Sequence, residues 1–72
     1  MDWRTRITSD PKILVGKPVI KGTRISVELV MDLLDKGWRR EEILREYDHI
    51  SDDDIEACLS YASENPVRRR RS

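Results

Sequence analysis

The ten residues Gly16–Ile25, GKPVIKGTRI, constrain the fold of this chain more than any other stretch. Its two glycines permit backbone conformations that other residues avoid, and Pro18 fixes its own φ angle. Val19, Ile20 and Ile25 favour extended chain. The stretch therefore predicts a tight, twisted β hairpin or loop.

Three cations belong to this stretch, namely Lys17, Lys21 and Arg24. Charged side chains close to a turn are seldom buried without a partner, so we expect Lys21 and Arg24 to project outward beside the hydroxyl of Thr23. Two interpretations are open. The segment is a structural hairpin with solvated cations, or the cations form a lip that contacts phosphate or carboxylate groups.

The sequence of residues 7–25 predicts a short β element. A turn at Ser9–Pro11 precedes Ile13–Val15, which is expected to form a strand that pairs with Val19–Ile20 or with Ile25. Such a short element leaves exposed edges, and these invite pairing with the same edge of a second chain.

Three helices are predicted downstream, at residues 27–36, 40–47 and 52–64. Ser26 is the N-cap of the first helix and Ser51 of the third, which has the clearest start signal in the chain. The predicted fold is mainly α: a three-helix domain over residues 1–66, with a disordered basic tail at 67–72.

A chain of 72 residues forms one domain. It buries only about 60% of the surface that its unfolded form exposes. Hydrophobic residues make up 38% of it, charged residues 39%, and Phe is absent, so a lone monomer has a thin core. We expect a homodimer, which gains burial by association. Leu29 and Leu33 are its candidate interface, since they widen the apolar face of the first helix to an arc of roughly 200°.

The zero net charge conceals an uneven distribution. Residues 1–40 carry +4, residues 41–66 carry −8, and residues 67–72 carry +4. These blocks can pair within the fold or across a dimer, or each can face a different partner. The polar N-terminal residues and the absence of a long apolar run predict a cytoplasmic protein that does not span a membrane.

Few residues suggest catalysis. Asp52–Asp54 beside His49 could be read as a metal site, but acidic residues at a helix start are better explained by the unpaired amides there. Cys58 lies on the apolar stripe of the third helix and is expected to be a core residue. We find no nucleophile with a base, no phosphate-binding loop and no ligand pair, and so predict no enzyme, cofactor or metal.

Four segments together resemble the domain-of-unknown-function family 433: Gly16–Ile25, an apolar helix ending at Gly37, Glu41–Leu44 and Tyr47–Ser51. The resemblance covers residues 7–64. It implies a homeodomain-like helix-turn-helix domain behind a short β element, often dimeric. Many members look like VapB-type antitoxins, which are encoded beside a PIN-like ribonuclease toxin.

DNA binding through the third helix is disfavoured, because its first residues are acidic and phosphates repel them. If operator DNA is bound, other cations must contact it. The candidates lie on the N-terminal arm and the β element: Arg4, Arg6, Lys17, Lys21 and Arg24.

The basic tail contains Arg68, Arg69, Arg70 and Arg71. It is a phosphate-binding arm, a solvated end, or a partner-binding segment that occupies an acidic site; the last interpretation fits the resemblance, because PIN-like nucleases carry metal-binding carboxylates. Two functions are therefore open: an antitoxin-like protein, or a dimeric protein-interaction module with no role in DNA binding.

Overall fold

The computed structural model describes residues 2–65, which form a small sheet followed by three helices. The elements in chain order are β1 (Ile7–Ser9), β2 (Pro18–Ile20), α1 (Val27–Asp35), α2 (Arg40–Glu46) and α3 (Asp52–Glu64). The mainly helical architecture and the short N-terminal β element are confirmed. The predicted tail at 67–72 lies outside the described residues.

The two strands are antiparallel, with Ile7 opposite Ile20 and Ser9 opposite Pro18. The chain then turns back, and Val19 forms an isolated bridge with Ser26. Pro18 has no N–H group to donate to a neighbouring strand. At the end of the ladder this costs no hydrogen bond, whereas in the middle of a strand it would. The hairpin predicted for Gly16–Ile25 is thus present.

The strand predicted at Ile13–Val15 is wrong. Residues Leu14–Gly16 instead form a 3-10 turn, and the partner of β2 is β1. The φ angles of Leu14 and Val15 are 50° and 55°. These values lie in the left-handed region, where a residue cannot continue a strand. A separate turn over residues 10–13 precedes it, in which the Asp10 side chain accepts the Lys12 N–H at 2.9 Å and the Asp10 carbonyl accepts the Ile13 N–H at 2.8 Å.

Helix α1 begins at the predicted cap. The Ser26 hydroxyl accepts a hydrogen bond from the Leu29 N–H at 3.0 Å, and the Ser26 residue is 8% exposed. The helix ends one residue earlier than predicted, and Gly37 after it has a φ of 96°. That conformation is costly for residues with a Cβ atom.

The starts of α2 and α3 both use side-chain acceptors, and Ser51 caps α3 as the sequence predicted. Glu42 accepts the Arg39 N–H at 2.8 Å, although the Arg39 side chain makes no capping hydrogen bond. At α3, the Asp54 carboxylate accepts the Ser51 N–H at 2.9 Å, and the Ser51 hydroxyl accepts the Asp54 N–H at 3.4 Å. These reciprocal bonds fix where the chain enters α3.

The core lies where α3 crosses α1 and the sheet. Side chains of both strands and all three helices meet there, and almost all of them are aliphatic. The most deeply buried are Ile20, Ile43, Ile55, Val19, Val27, Val30 and Cys58. Ala57 is also fully buried.

The cap of α1 provides a test of this packing. We expect Ser26→Ala to lower the free energy of unfolding by about 1 kcal/mol, because the Leu29 N–H then loses its acceptor at a buried site. Thermal and urea unfolding measure the change. The control is Ser63→Ala on the exposed end of α3. For this control we expect a change within about 0.5 kcal/mol. Equal effects of the two substitutions would contradict the capping role.

Candidate nucleic-acid interface

The turn at residues 21–24 is held by the side chain of Thr23. Its hydroxyl donates to the Ile20 carbonyl at 2.8 Å and accepts the Ile25 N–H at 3.0 Å. The Thr23 N–H donates to the same carbonyl at 3.0 Å, and Gly22 has a φ of 80°. The Thr23 hydroxyl is therefore used within the turn, which is a defined structure rather than an open loop.

Lys21 and Arg24 lie on this turn with exposed side chains. Within residues 2–65 neither side chain takes part in an ion pair, so their charges are available to an outside group. Lys17 differs, because its ammonium nitrogen lies 3.3 Å from the Glu28 carboxylate. Of the three candidates in the Gly16–Ile25 segment, the structure brings Lys21 and Arg24 together at one turn.

The two arginines of the N-terminal arm are engaged elsewhere. The Arg6 guanidinium lies 3.0 Å from Asp54 and 3.5 Å from Asp53, both at the start of α3. Arg4 stacks on the Trp3 ring at 4.7 Å from its centroid and lies 3.5 Å from Asp2. Arg6 thus joins β1 to α3, and Arg4 also reaches α3, since its guanidinium lies 3.9 Å from the Glu64 carboxylate.

Arg40, the first residue of α2, forms ion pairs with α3. Its guanidinium lies 3.0 Å from Asp52 and also pairs with Glu56. The pKa of Arg40 is raised, most of all by its hydrogen bond to Glu56 and next by its hydrogen bond to Asp52, so the guanidinium stays charged. The sequence contains a signal for this pairing. Asp52 and Glu56 are four residues apart, so on a helix their side chains lie on the same side and can pair with one cation.

The acidic start of α3 is therefore partly neutralised within the fold. Two arginines face four carboxylates, those of Asp52, Asp53, Asp54 and Glu56. The cluster keeps an excess of negative charge, and its arginines are already bonded. Phosphate groups find less attraction here than at the turn that carries Lys21 and Arg24.

His49 and Cys58 are the remaining residues whose chemistry the sequence analysis considered. Among residues 2–65 no group of three His, Cys, Asp or Glu side chains is placed to hold a metal ion. His49 is highly exposed, 3.7 Å from Asp48. Cys58 is a fully buried free thiol, which confirms its place in the core.

The buried thiol of Cys58 is kept protonated. Burial, with a smaller contribution from the charge of Asp54, raises the pKa of Cys58 to about 12. In the unfolded chain the thiol loses its proton near its ordinary value of 9.0. The folded form therefore loses stability from this group as the pH rises above that value towards 12.

The two candidate interface leucines lie in different environments. Leu33 is only 8% exposed and belongs to the core of the single chain. Leu29 is half-buried and borders a groove on the outer side of α1. Leu29 is thus the better placed of the two for a contact with another molecule.

Comparison with known proteins agrees with this fold. A family model described as "Protein of unknown function (DUF433)" matches residues 7–62. The chain belongs to the DUF433 family. A crystal structure of a DUF433 member protein from Anabaena variabilis superposes with a TM-score of 0.82 at 28% sequence identity, covering 85% of this chain and 60% of that one.

One relative of this DUF433 chain is a longer protein. The uncharacterized protein y4eO of Sinorhizobium fredii is 37% identical over 68 residues, which are 94% of this chain but 31% of y4eO. The chain therefore spans about a third of that relative. No helix within residues 2–65 has the length and apolar character needed to cross a membrane.

Arg6 offers a test of the charge arrangement at α3. The side chain of its partner Asp54 is 13% exposed. We expect Arg6→Gln to lower the free energy of unfolding by about 1 kcal/mol, because Asp54 then loses its cation. Urea unfolding at low and at high salt measures this, and the difference should shrink at high salt.

The matched control is Arg4→Gln. The Arg4 side chain is 66% exposed, so we expect little change on replacing it. A loss of stability for Arg6→Gln that is no larger than the loss for Arg4→Gln would contradict the stabilising role of the Arg6 pairs.

Proposed function

We propose that this chain is an antitoxin-like protein, a cytoplasmic homodimer with a homeodomain-like helix-turn-helix formed by α2 and α3. In this proposal it neutralises a PIN-like ribonuclease and binds its own operator DNA, and it has no catalytic activity. The resemblance of its motifs to DUF433 supports the antitoxin role. The distribution of charge supports the manner of DNA binding.

One observation carries the proposed DNA contact: the exposed turn that holds Lys21 and Arg24 without intramolecular ion pairs in residues 2–65. A cation already paired in the fold gains less from a phosphate, because the existing pair must first be broken. A free cation on a defined turn releases a counterion from DNA without that cost. Two copies of the turn in a homodimer double the number of phosphates that can be reached.

The DNA contact is tested by reversing the turn charges. We expect Lys21→Glu with Arg24→Glu to weaken binding to operator and random duplex alike, because phosphate contacts carry no sequence information. The slope of log affinity against log salt should fall by about 0.9 for each phosphate that the variant no longer neutralises. A salt titration by fluorescence anisotropy measures both quantities.

A second variant controls for charge at the other end of the domain. Asp52→Asn with Asp53→Asn should leave DNA affinity unchanged or raise it, because it removes negative charge from α3. If this variant loses its preference for the operator while the Glu variant binds normally, α3 reads the bases and the turn does not contact DNA.

The ribonuclease contact is proposed for the basic tail, which lies outside the described residues. Guanidinium groups form bidentate pairs with carboxylates, so Arg68–Arg71 suit a nuclease site that holds its metal with acidic side chains. We expect the chain to copurify with a PIN-like ribonuclease from its native host and to inhibit that enzyme's cleavage of RNA.

The tail is tested by replacing all four arginines with Gln in the full chain. This variant should inhibit the purified ribonuclease more weakly than the native chain, by about tenfold or more, and circular dichroism checks that it folds. If the variant inhibits the ribonuclease as strongly as the native chain does, the ribonuclease contact lies on a surface other than the tail. Failure to recover any ribonuclease from the host would remove the support for an antitoxin.

A second candidate function is a dimeric protein-interaction module that does not bind DNA. The exposure of Leu14 and Val15, which are 40% and 94% exposed, favours it. Apolar side chains at a turn suit a protein surface better than a phosphate backbone. Absence of measurable DNA binding at low salt would favour this function over the first.

A further inference from the structure

The first described residues, Asp2–Thr5, form a single 3-10 turn that lies on α3, and we call this segment the N-terminal strap. The Asp2 carboxylate accepts the Arg4 N–H at 3.0 Å, and the Asp2 carbonyl accepts the Thr5 hydroxyl at 3.0 Å. Both bonds are internal to the strap. They shape it without tying it to α3, so the side chains of Trp3 and Arg4 must hold it there.

Trp3 makes the apolar contact between the strap and α3. Its ring meets the Tyr61 ring edge to face, with the centroids 4.7 Å apart. The indole Nε1–H is enclosed and has no hydrogen-bond partner within the described residues. A buried donor without an acceptor gives up the hydrogen bond that it makes with water when it is exposed. The closed strap therefore combines a favourable ring contact with a cost that opening removes.

Arg4 makes the polar contact between the strap and α3, and this contact is weak. The Arg4 guanidinium lies 3.9 Å from the Glu64 carboxylate, and the two side chains are 66% and 53% exposed. The other partners of Arg4, Asp2 and the Trp3 ring, belong to the strap itself. Exposed ion pairs contribute little to stability and are screened by salt. Opening the strap therefore costs Arg4 only its pair with Glu64.

The base of the strap is fixed beside the turn that carries Lys21 and Arg24. The Lys21 N–H donates to the Arg6 carbonyl at 2.8 Å, and the Arg6 side chain is held by Asp54. Lys21 and Arg24 have no ion pair within residues 2–65. Arg4 is two residues from the anchor at Arg6, so an Arg4 released from α3 adds a third cation next to this turn.

We propose that the N-terminal strap leaves α3 when duplex DNA binds the turn at residues 21–24, and that Arg4 then pairs with a DNA phosphate. Bound DNA favours the open strap, because an open Arg4 neutralises one more phosphate than a closed one. The closed strap lowers the affinity of the free chain, since the state that binds best is only partly populated. The inference rests on the DNA contact of the proposed function and adds a regulation of that site.

Opening is measured on the native chain through the indole N–H signals of Trp3 and Trp38 in isotope-labelled protein. Random duplex added at low salt should move the Trp3 signal to the position of a solvated indole. We expect its exchange with water to become about tenfold faster or more, because an enclosed N–H exchanges only while the strap is open. Trp38 lies outside the strap and is the internal control. Trp3→Phe assigns the two signals.

The phosphate contact of the open strap is tested by Arg4→Gln. We expect the slope of log affinity against log salt to fall by about 0.9, which corresponds to one phosphate. The matched control is Lys36→Gln at the end of α1, which also removes an exposed cation from an ion pair, here with Asp32 at 3.3 Å. This control should leave the slope unchanged. Circular dichroism checks that both variants fold.

The closed state is tested without DNA by Glu64→Gln, which removes the partner of Arg4 on α3. Exchange of the Trp3 indole N–H should become about twofold faster than in the native chain, because the pair that is lost is an exposed one. Glu46→Gln removes the same charge from the exposed surface of α2 and should leave the exchange unchanged. Equal exchange in the two variants would contradict the role of Arg4 in holding the strap closed.

Three further results would overturn the inference, and they differ in what they leave standing. A chain that binds no DNA at low salt overturns the DNA contact of the proposed function together with the strap. DNA binding with an unchanged Trp3 signal, or with the native slope in Arg4→Gln, keeps that DNA contact and overturns the strap. A Trp3 indole that exchanges like a solvated one in the free chain shows that the strap is open before DNA binds.

Discussion

The Asp54 carboxylate joins the start of α3 to the N-terminal segment. One oxygen of its carboxylate accepts the Ser51 N–H and so starts α3, while the other accepts from Arg6 next to β1. The side chain is 13% exposed, so these bonds are partly shielded from water. The core of the fold is made almost entirely of aliphatic side chains, whose packing is not directional. The hydrogen bonds of this carboxylate are directional, and they fix how the N-terminal segment lies on α3.

The same arrangement decides how charge is presented to a partner. Arg6 and Arg40 are held by the acidic start of α3, whereas Lys21 and Arg24 stand on a turn whose polar backbone groups are bonded within the turn. A chain with zero net charge can thus offer a local positive surface. Its electrostatic character depends on which cations the fold pairs, and composition alone does not determine that.

Most of the helical structure could be predicted from the sequence because its signals are local. Ser26 and Ser51 mark helix starts, Gly37 follows a helix end, and the family resemblance supported by Gly16–Ile25 was correct. The turn at Leu14 and Val15 could not be predicted, because an apolar run in a left-handed conformation looks like a strand in the sequence.

The candidate site was only partly predictable for a related reason. Exposure of Lys21 and Arg24 follows from the turn itself, but ion pairs such as Arg6 with Asp54 join residues 48 positions apart in the chain. Whether a cation is free or paired depends on which elements pack together. Leu33 shows the same limit, since a wide apolar arc on α1 predicts burial without saying whether α3 or another chain supplies it.

Cys58 has a practical consequence that follows from its burial. A thiol that is fully enclosed and protonated reacts with an alkylating reagent only when α3 separates from the rest of the fold. When closing is faster than alkylation, the observed labelling rate is the opening equilibrium constant multiplied by the rate for an exposed thiol. The native chain therefore carries its own kinetic probe of local opening. Any partner that binds the closed form will slow this labelling in proportion to its occupancy.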